Sequence, residues 1–229
     1  MTTRQKQMLY VGATLIVVIA WTFYTADGPQ TTAVLAGTVR AATLLVLGAM
    51  CGMIGERSGV VNIGIEGQFL LSAFAAFTIA SMTGSLFLGT VAGVGMGLIM
   101  GWMLAAMAVG LKVDQIIAGT VLNIAALGLT SFFYDRSRSL GMGKYTNIDL
   151  GPLADIPLVG TVFFSRPPLT YLTMVLLVIV HVALFRSVWG MRTRAIGEHP
   201  GAADTVGIDV LKLRYFNVTI AGGLAGLGG

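Results

Sequence analysis

Two stretches of this chain gather the residue types that could do chemistry. The first is Gly55-Glu-Arg-Ser-Gly-Val-Val-Asn-Ile-Gly-Ile-Glu-Gly-Gln68, which sets two carboxylates, an arginine and an asparagine among glycines. Glycine lets the backbone turn sharply and approach other segments closely. Glu66 lies just before an apolar run, where the positive end of a helix macrodipole would stabilise its charge. Asn62 could cap or cross-link backbone in a broken region. Three roles fit the stretch: locking the start of a helix, direct ligand contact by Asn62 or Glu66, or coupling of motion. The second stretch is Met191-Arg-Thr-Arg-Ala-Ile-Gly-Glu-His-Pro-Gly-Ala-Ala-Asp-Thr-Val-Gly-Ile208. Pro200 suits the first turn of a helix and Gly207 its end, which predicts a helix of about two turns between them, too short to cross a bilayer. Such a helix can dock in a groove of another protein or lie on lipid headgroups.

Other chemistries find no support. Gly55-x-x-Ser58-Gly59 has one residue too many before its serine to be a hydrolase elbow, and no histidine lies nearby in sequence. There is no His-Glu-x-x-His and no Gly-x-x-x-x-Gly-Lys-Ser/Thr phosphate loop, so neither zinc hydrolysis nor ATP binding of that kind is expected. Two histidines and one cysteine make a metal site unexpected, and Cys51 has no disulfide partner. No catalytic residue and no cofactor is expected. Asn123, in Thr120-Val-Leu-Asn-Ile-Ala-Ala, is costly inside a membrane helix unless hydrogen-bonded, so it bonds another helix or faces a pathway. Trp102, Phe132, Phe133 and Tyr134 could stack on a base or sugar ring, with interfacial or packing roles as the alternative. Asn62, Glu66, Asn123 and Trp102 are thus the candidate pathway residues.

The elements that must position these groups are membrane helices. The chain has 229 residues, 55% of them hydrophobic, and only 10% are Asp, Glu, Lys or Arg. Soluble domains carry roughly 25% charge because water must be faced on every side. The expected class is all-α, a polytopic transmembrane helix bundle. Candidate spans fall at Met8–Tyr24, Ala33–Ile54, Phe69–Met82, Leu86–Val109, Ile116–Tyr134 and Leu169–Phe185. An incomplete seventh begins near Tyr215. The expectation is one domain over 1–229, with about six spans and the start of a seventh, and a loop at 186–214. The third run is short unless it borrows Val60–Ile65; the alternative is a helix entered from a non-helical segment buried in protein. Because GGLAGLGG stops partway through an apolar segment, the chain is expected to be C-terminally truncated.

Charge placement orients the bundle. With the N-terminus inside, Arg4, Lys6, Arg57, Lys112, Arg186, Arg192, Arg194, Lys212 and Arg214 are cytoplasmic. Arg136, Arg138, Lys144 and Arg166 lie outside in one long loop, Asp135–Pro168, and the excess of inner cations supports this topology. The formal net charge of +4 is spread singly or in short groups between apolar runs, which argues against nucleic-acid binding. Gly89, Gly93, Gly97 and Gly101 recur every fourth residue in the fourth run, giving a smooth face for close helix packing.

The residues VVNIGIEGQFLLSAFAAF (60–77) and MRTRAIGEHPGAADTVGIDVLKLRYF (191–216) together resemble the membrane permeases of bacterial ABC importers for sugars, nucleosides and branched-chain amino acids. The Asn-Ile-Gly-Ile-Glu-Gly form is most similar to the nucleoside and simple-sugar subgroup. That resemblance implies a bacterial cytoplasmic-membrane protein, multi-pass, with its N-terminus cytoplasmic and the solute pathway formed with a second permease copy or a related one. It implies that Gly197, Glu198, Pro200, Ala202, Ala203 and Gly207 form the coupling helix that meets a separate ATP-binding cassette ATPase. It also implies an extracytoplasmic solute-binding lipoprotein as partner and further spans beyond this chain. The rival reading is a secondary transporter driven by an ion gradient. Such proteins place ionisable residues near mid-membrane, and apart from Arg40 and Glu66 this chain has almost none. A non-transporting scaffold would leave both polar stretches idle.

Overall fold

A computed structural model of the chain describes residues 3–134, 144–149, 151–154, 156 and 159–229. Each apolar run forms a helix: α1 (Thr3–Ala26), α2 (Gly28–Arg57), α3 (Ile65–Thr83), α4 (Leu86–Ala105), α5 (Gln115–Phe133), α6 (Pro168–Arg186) and α9 (Val210–Gly228). Two shorter helices, α7 (Val188–Glu198) and α8 (Pro200–Thr205), stand between α6 and α9. α4 runs on through a π turn at Ala106–Gly110. Among the described residues, α2, α3, α4 with its π turn, α5 and α6 are long and apolar enough to cross a membrane. Their outward faces are as apolar as their inward ones: Val121, Ile124 and Leu127 of α5 are exposed, as are Val175, Val178 and Ile179 of α6. Lipid, unlike water, asks for no polar face.

The third span resolves the open alternative. α3 starts at Ile65, and Ser58–Gly64 is non-helical. It borrows nothing from Val60–Gly64; it is entered from an irregular segment in which Ser58, Val60, Asn62 and Gly64 are buried.

Residues 1–42 with 146–170 form one compact unit. In it, β1 (Ile148–Asp149) pairs antiparallel with β2 (Ser165–Arg166). Arg166, read from sequence as a loop charge, is 3% exposed. Its guanidinium donates to the carbonyls of Val162 (2.6 Å), Thr161 (2.9 Å) and Ala36 (3.1 Å). Arg136, Arg138 and Pro157 of the same loop lie outside the described residues.

Residues 43–145 with 171–229 form the second unit. Its axis is α9, which serves two clusters. Val218 packs with Met100, Leu104, Leu122 and Ala126, while Ala221 and Ala225 pack with Leu47, Met50, Ile54 and Leu184. α9 reaches α4 through glycine. A Cβ on Gly97 would collide with the Gly222 carbonyl, and one on Gly101 would come within 2.7 Å of the Val218 carbonyl oxygen. Gly93 abuts Ala76 and Gly226, and Gly89 abuts Ala80. Because lipid tails are as apolar as leucine, helices in a bilayer gain little from burying hydrocarbon and adhere through such close backbone contact instead.

This seam predicts position-specific tolerance on one helix. Gly97→Ala has backbone on its open side and should cost about 1–3 kcal/mol by overpacking. Gly95→Ala has nothing within 4 Å and should stay within about 0.5 kcal/mol of the parent. Thermal unfolding of both in detergent, followed by tryptophan fluorescence, checks the contrast.

Candidate functional site

The non-helical segment after α2 must satisfy its own backbone, since no regular ladder does so. Its first turn closes locally, with Gly59 N–H donating to Glu56 O (3.0 Å) and Val60 N–H to Gly55 O (3.0 Å). Gly59 holds φ +80°, the left-handed region that favours glycine. Beyond it, side chains from distant helices take over. Gln115, first residue of α5, accepts from Val61 N–H (2.7 Å) and donates to Gly59 O (3.3 Å). Asn123, two turns further along α5, accepts from Gly67 N–H (2.7 Å) and donates to Ile63 O (3.1 Å). One primary amide thereby fixes both a carbonyl two residues before α3 and an amide in its first turn, which a helix N-terminus leaves unpaired.

Asn62 works inside the same segment. Its Oδ1 accepts from Gly64 N–H (2.9 Å) and its Nδ2 donates to Gln68 Oε1 (3.1 Å). The Cys51 thiol of α2 donates to the same Gln68 oxygen (3.6 Å). Gln68 Nε2 and Ser72 Oγ, one turn apart and fully buried, have no partner among the described residues, so α3 carries unused polar capacity here. Glu66 stands in the first turn of α3 with its side chain exposed.

Asn62, Glu66 and Asn123 therefore share one end of the α3–α5 pair. Trp102 does not join them; it is 55% exposed on α4 and outside their hydrogen-bonded network. Along the α3–α5 pair runs an open groove of about 560 Å³, lined by Phe74 and Phe77 of α3 and by Thr130, Ser131 and Tyr134 at the α5 end. The Phe77 and Tyr134 rings lie 6.4 Å apart, tilted by 40°. Glu66, Leu70, Phe74 and Phe77 fall on one stripe of α3, and Asn123, Leu127, Ser131 and Tyr134 on one stripe of α5, by the helical repeat.

The second polar stretch folds as α7 and α8. Ser187 caps α7 by accepting from Gly190 N–H (3.1 Å). Thr193 and Ile196 are buried, and Asn217 of α9 bridges Trp189 Nε1 (2.9 Å) and Thr193 Oγ1 (3.1 Å). Gly197 sits flush against the Arg57 carbonyl, while Glu198 is exposed. His199 separates α7 from α8, which spans six residues and has Pro200 in its first turn, where a missing N–H costs nothing. Ala203 faces inward, whereas Gly201, Ala202, Asp204, Thr205 and Val206 are exposed. Gly207 leaves the helix at φ +82°, the left-handed exit glycine allows. Asp209 then caps α9, accepting from Lys212 N–H (3.0 Å) and pairing with its ammonium (2.9 Å); both interactions hold its carboxyl below the usual carboxylate range.

Gln68, Gln115 and Arg214 were not singled out in the sequence for this site. Gln115 follows the cap residue Asp114 and reads as an ordinary first-turn residue; Arg214 reads as an orienting charge. Among the described residues no three His, Cys, Asp or Glu side chains cluster as a metal site.

Comparison with known proteins bears on this arrangement. Residues 34–229 match the profile of the family described as branched-chain amino acid transport system / permease component. The chain is 37% identical over 196 residues to a putative glucose ABC transporter permease of Haloferax volcanii, covering 84% of this chain and 60% of that protein. It is 36% identical over 197 residues to a guanosine ABC transporter permease of Bacillus subtilis (81% and 62%). A nucleoside ABC transporter permease of Lactococcus lactis is 35% identical over 201 residues (82% and 62%). The chain thus spans about three fifths of the length of these relatives. No solved structure matches it.

The amide bridge gives a direct test. Asn123→Ala strips partners from Ile63 O and Gly67 N and should destabilise the fold by about 1–3 kcal/mol. Asn123→Asp keeps the acceptor and should fall between, while Ile124→Ala on the exposed face should change little. Thermal midpoints in detergent rank the three.

Proposed function

Since the chain belongs to the branched-chain amino acid transport system permease family, we propose that it is the membrane-spanning permease subunit of an ATP-binding-cassette importer. The observation that carries this reading is α8, a six-residue helix with an exposed face, set between two left-handed or proline-marked turns and packed on α7. A helix so short and so rigidly bounded is suited to fit a groove on another protein. In this reading that protein is a separate ATPase subunit, which meets Glu198, Pro200 and Ala202. Gly197, Ala203 and Gly207 set the helix in place. Hydrolysis belongs to the ATPase; this chain supplies the path.

The membrane is the bacterial cytoplasmic membrane, with the N-terminus and α8 on the inner side, as the excess of inner cations favours. A second permease subunit completes the pathway, and a solute-binding lipoprotein delivers the solute at the outer face. The solute is a small polar molecule, a nucleoside or simple sugar, in keeping with the guanosine, nucleoside and glucose permeases among its relatives. The α3–α5 groove suits such a solute, because Phe74, Phe77 and Tyr134 offer ring faces while Ser131 and the Tyr134 hydroxyl offer hydrogen bonds. Glu66 and Asn123 stand on the same stripes toward the α8 side.

Co-purification from native membranes, with counterflow of labelled guanosine and glucose in vesicles, tests the reading. The parent should carry a stoichiometric ATPase, and Ala202→Arg with Val206→Arg should release it. An intact complex without any ATPase, or uptake that persists after those changes and follows an ion gradient, moves the protein to the secondary transporters. If the groove lines the path, Tyr134→Ala should raise the apparent KM for the transported solute about tenfold with expression unchanged.

A further inference from the structure

One arginine joins the two polar stretches. Arg214, in the first turns of α9, donates from Nε to Ser58 O (2.9 Å) and from Nη2 to Ile196 O (3.1 Å). Ser58 follows the last residue of α2, and Ile196 lies in the last turn of α7. Terminal helix carbonyls lack intrahelical donors and carry the negative end of the macrodipole. The guanidinium therefore bridges two helix C-termini. It has no carboxylate partner; the ion pair among the described residues is Lys212 with Asp209.

The backbones on either side touch. A Cβ on Gly59 would come within 2.8 Å of Arg214 Nη2 and 3.4 Å of Gly197 Cα, and one on Gly197 would collide with the Arg57 carbonyl. A second tie lies beside the first, where Arg57 of α2 and Arg194 of α7 stack on the Phe185 ring at 5.9 Å and 5.6 Å. From α8 the connection runs through His199 to Ile196, across Arg214 to Ser58, and along the segment held by Gln115 and Asn123 to the start of α3.

We propose that Arg214 is a positioning residue that makes α8 and the segment 58–64 move as one body, carrying displacement of α8 to Glu66 and the α3 side of the groove. The inference rests on α8 being the ATPase-contacting helix. A lysine cannot replace the arginine, because one ammonium lacks the planar fork that serves two divergent carbonyls.

The test uses the chain assembled with its ATPase and receptor partners in proteoliposomes. Spin labels go on cysteines replacing Gly201 and Val61, both exposed. Their separation should be single-valued and unchanged when ATP binds, while a label pair from Gly201 to Phe87, exposed near the start of α4 and outside that chain of hydrogen bonds, should change. In Arg214→Gln the Gly201–Val61 distribution should broaden. ATP hydrolysis should stay within about twofold of the parent and solute uptake should fall about tenfold, and Arg214→Lys should not restore it. A Gly201–Val61 distance that changes with ATP in the parent overturns the proposal, and so does an unaltered ratio of solute imported to ATP hydrolysed in Arg214→Gln. If the variant does not assemble, the parent distances decide alone. Failure of the ATPase to bind the parent, or to restrict the Gly201 label on binding, instead removes the reading of α8.

Discussion

A peptide group taken out of water must find its hydrogen bonds inside the protein. In a long helix this is automatic. At Ser58–Gly64 it is not, and the second unit is arranged around meeting that need. Backbone groups of the segment are met by Gln115 and Asn123 from α5, by Arg214 from α9, and by Asn62 from within. The bonds from Gln115, Asn123 and Arg214 each fix a helix as well as a peptide group. The cost of irregular backbone has thereby become the means of holding α3, α5 and α9 in register near the proposed docking helix.

Elsewhere in the same unit adhesion works differently. The α4–α9 seam has glycine facing glycine, so dispersion between backbones replaces hydrophobic burial. α9 combines both devices along its length: near its start Arg214 bonds the ends of α2 and α7 and Asn217 bonds two side chains of α7, and further on Gly222, Gly223 and Gly226 lie against α4.

How much of this was legible in the sequence depends on the range of the interaction. The long helices were legible because each is set by a local run of apolar residues, and the observed helices begin and end within a few residues of those runs. Pro200 and Gly207 bracketed α8 correctly because their effects are intrinsic to the residue; the helix between them is shorter than two full turns. The start of α3 stayed open between two readings, since nothing local decides whether Val60–Gly64 is helical; the decision rests with Gln115 and Asn123, more than fifty positions away. Arg214 and Arg166 were counted as charges by position. Their carbonyl partners become apparent only when the chain is folded, because no sequence spacing announces a bond from a side chain to a distant backbone oxygen.

The glycine seam also has a consequence at the level of the gene. Every single-base change that alters a glycine codon gives alanine, valine, serine, cysteine, tryptophan, arginine, aspartate, glutamate or a stop, and each amino acid among these adds a Cβ. At Gly97, Gly101 and Gly222, where that atom meets backbone, no neighbouring codon encodes a harmless replacement. The lipid-facing valines and isoleucines are connected by single-base changes largely to one another and to other apolar residues. New alleles should therefore accumulate on the outer surface of the bundle, while the seam stays fixed by the structure of the code as much as by the structure of the protein.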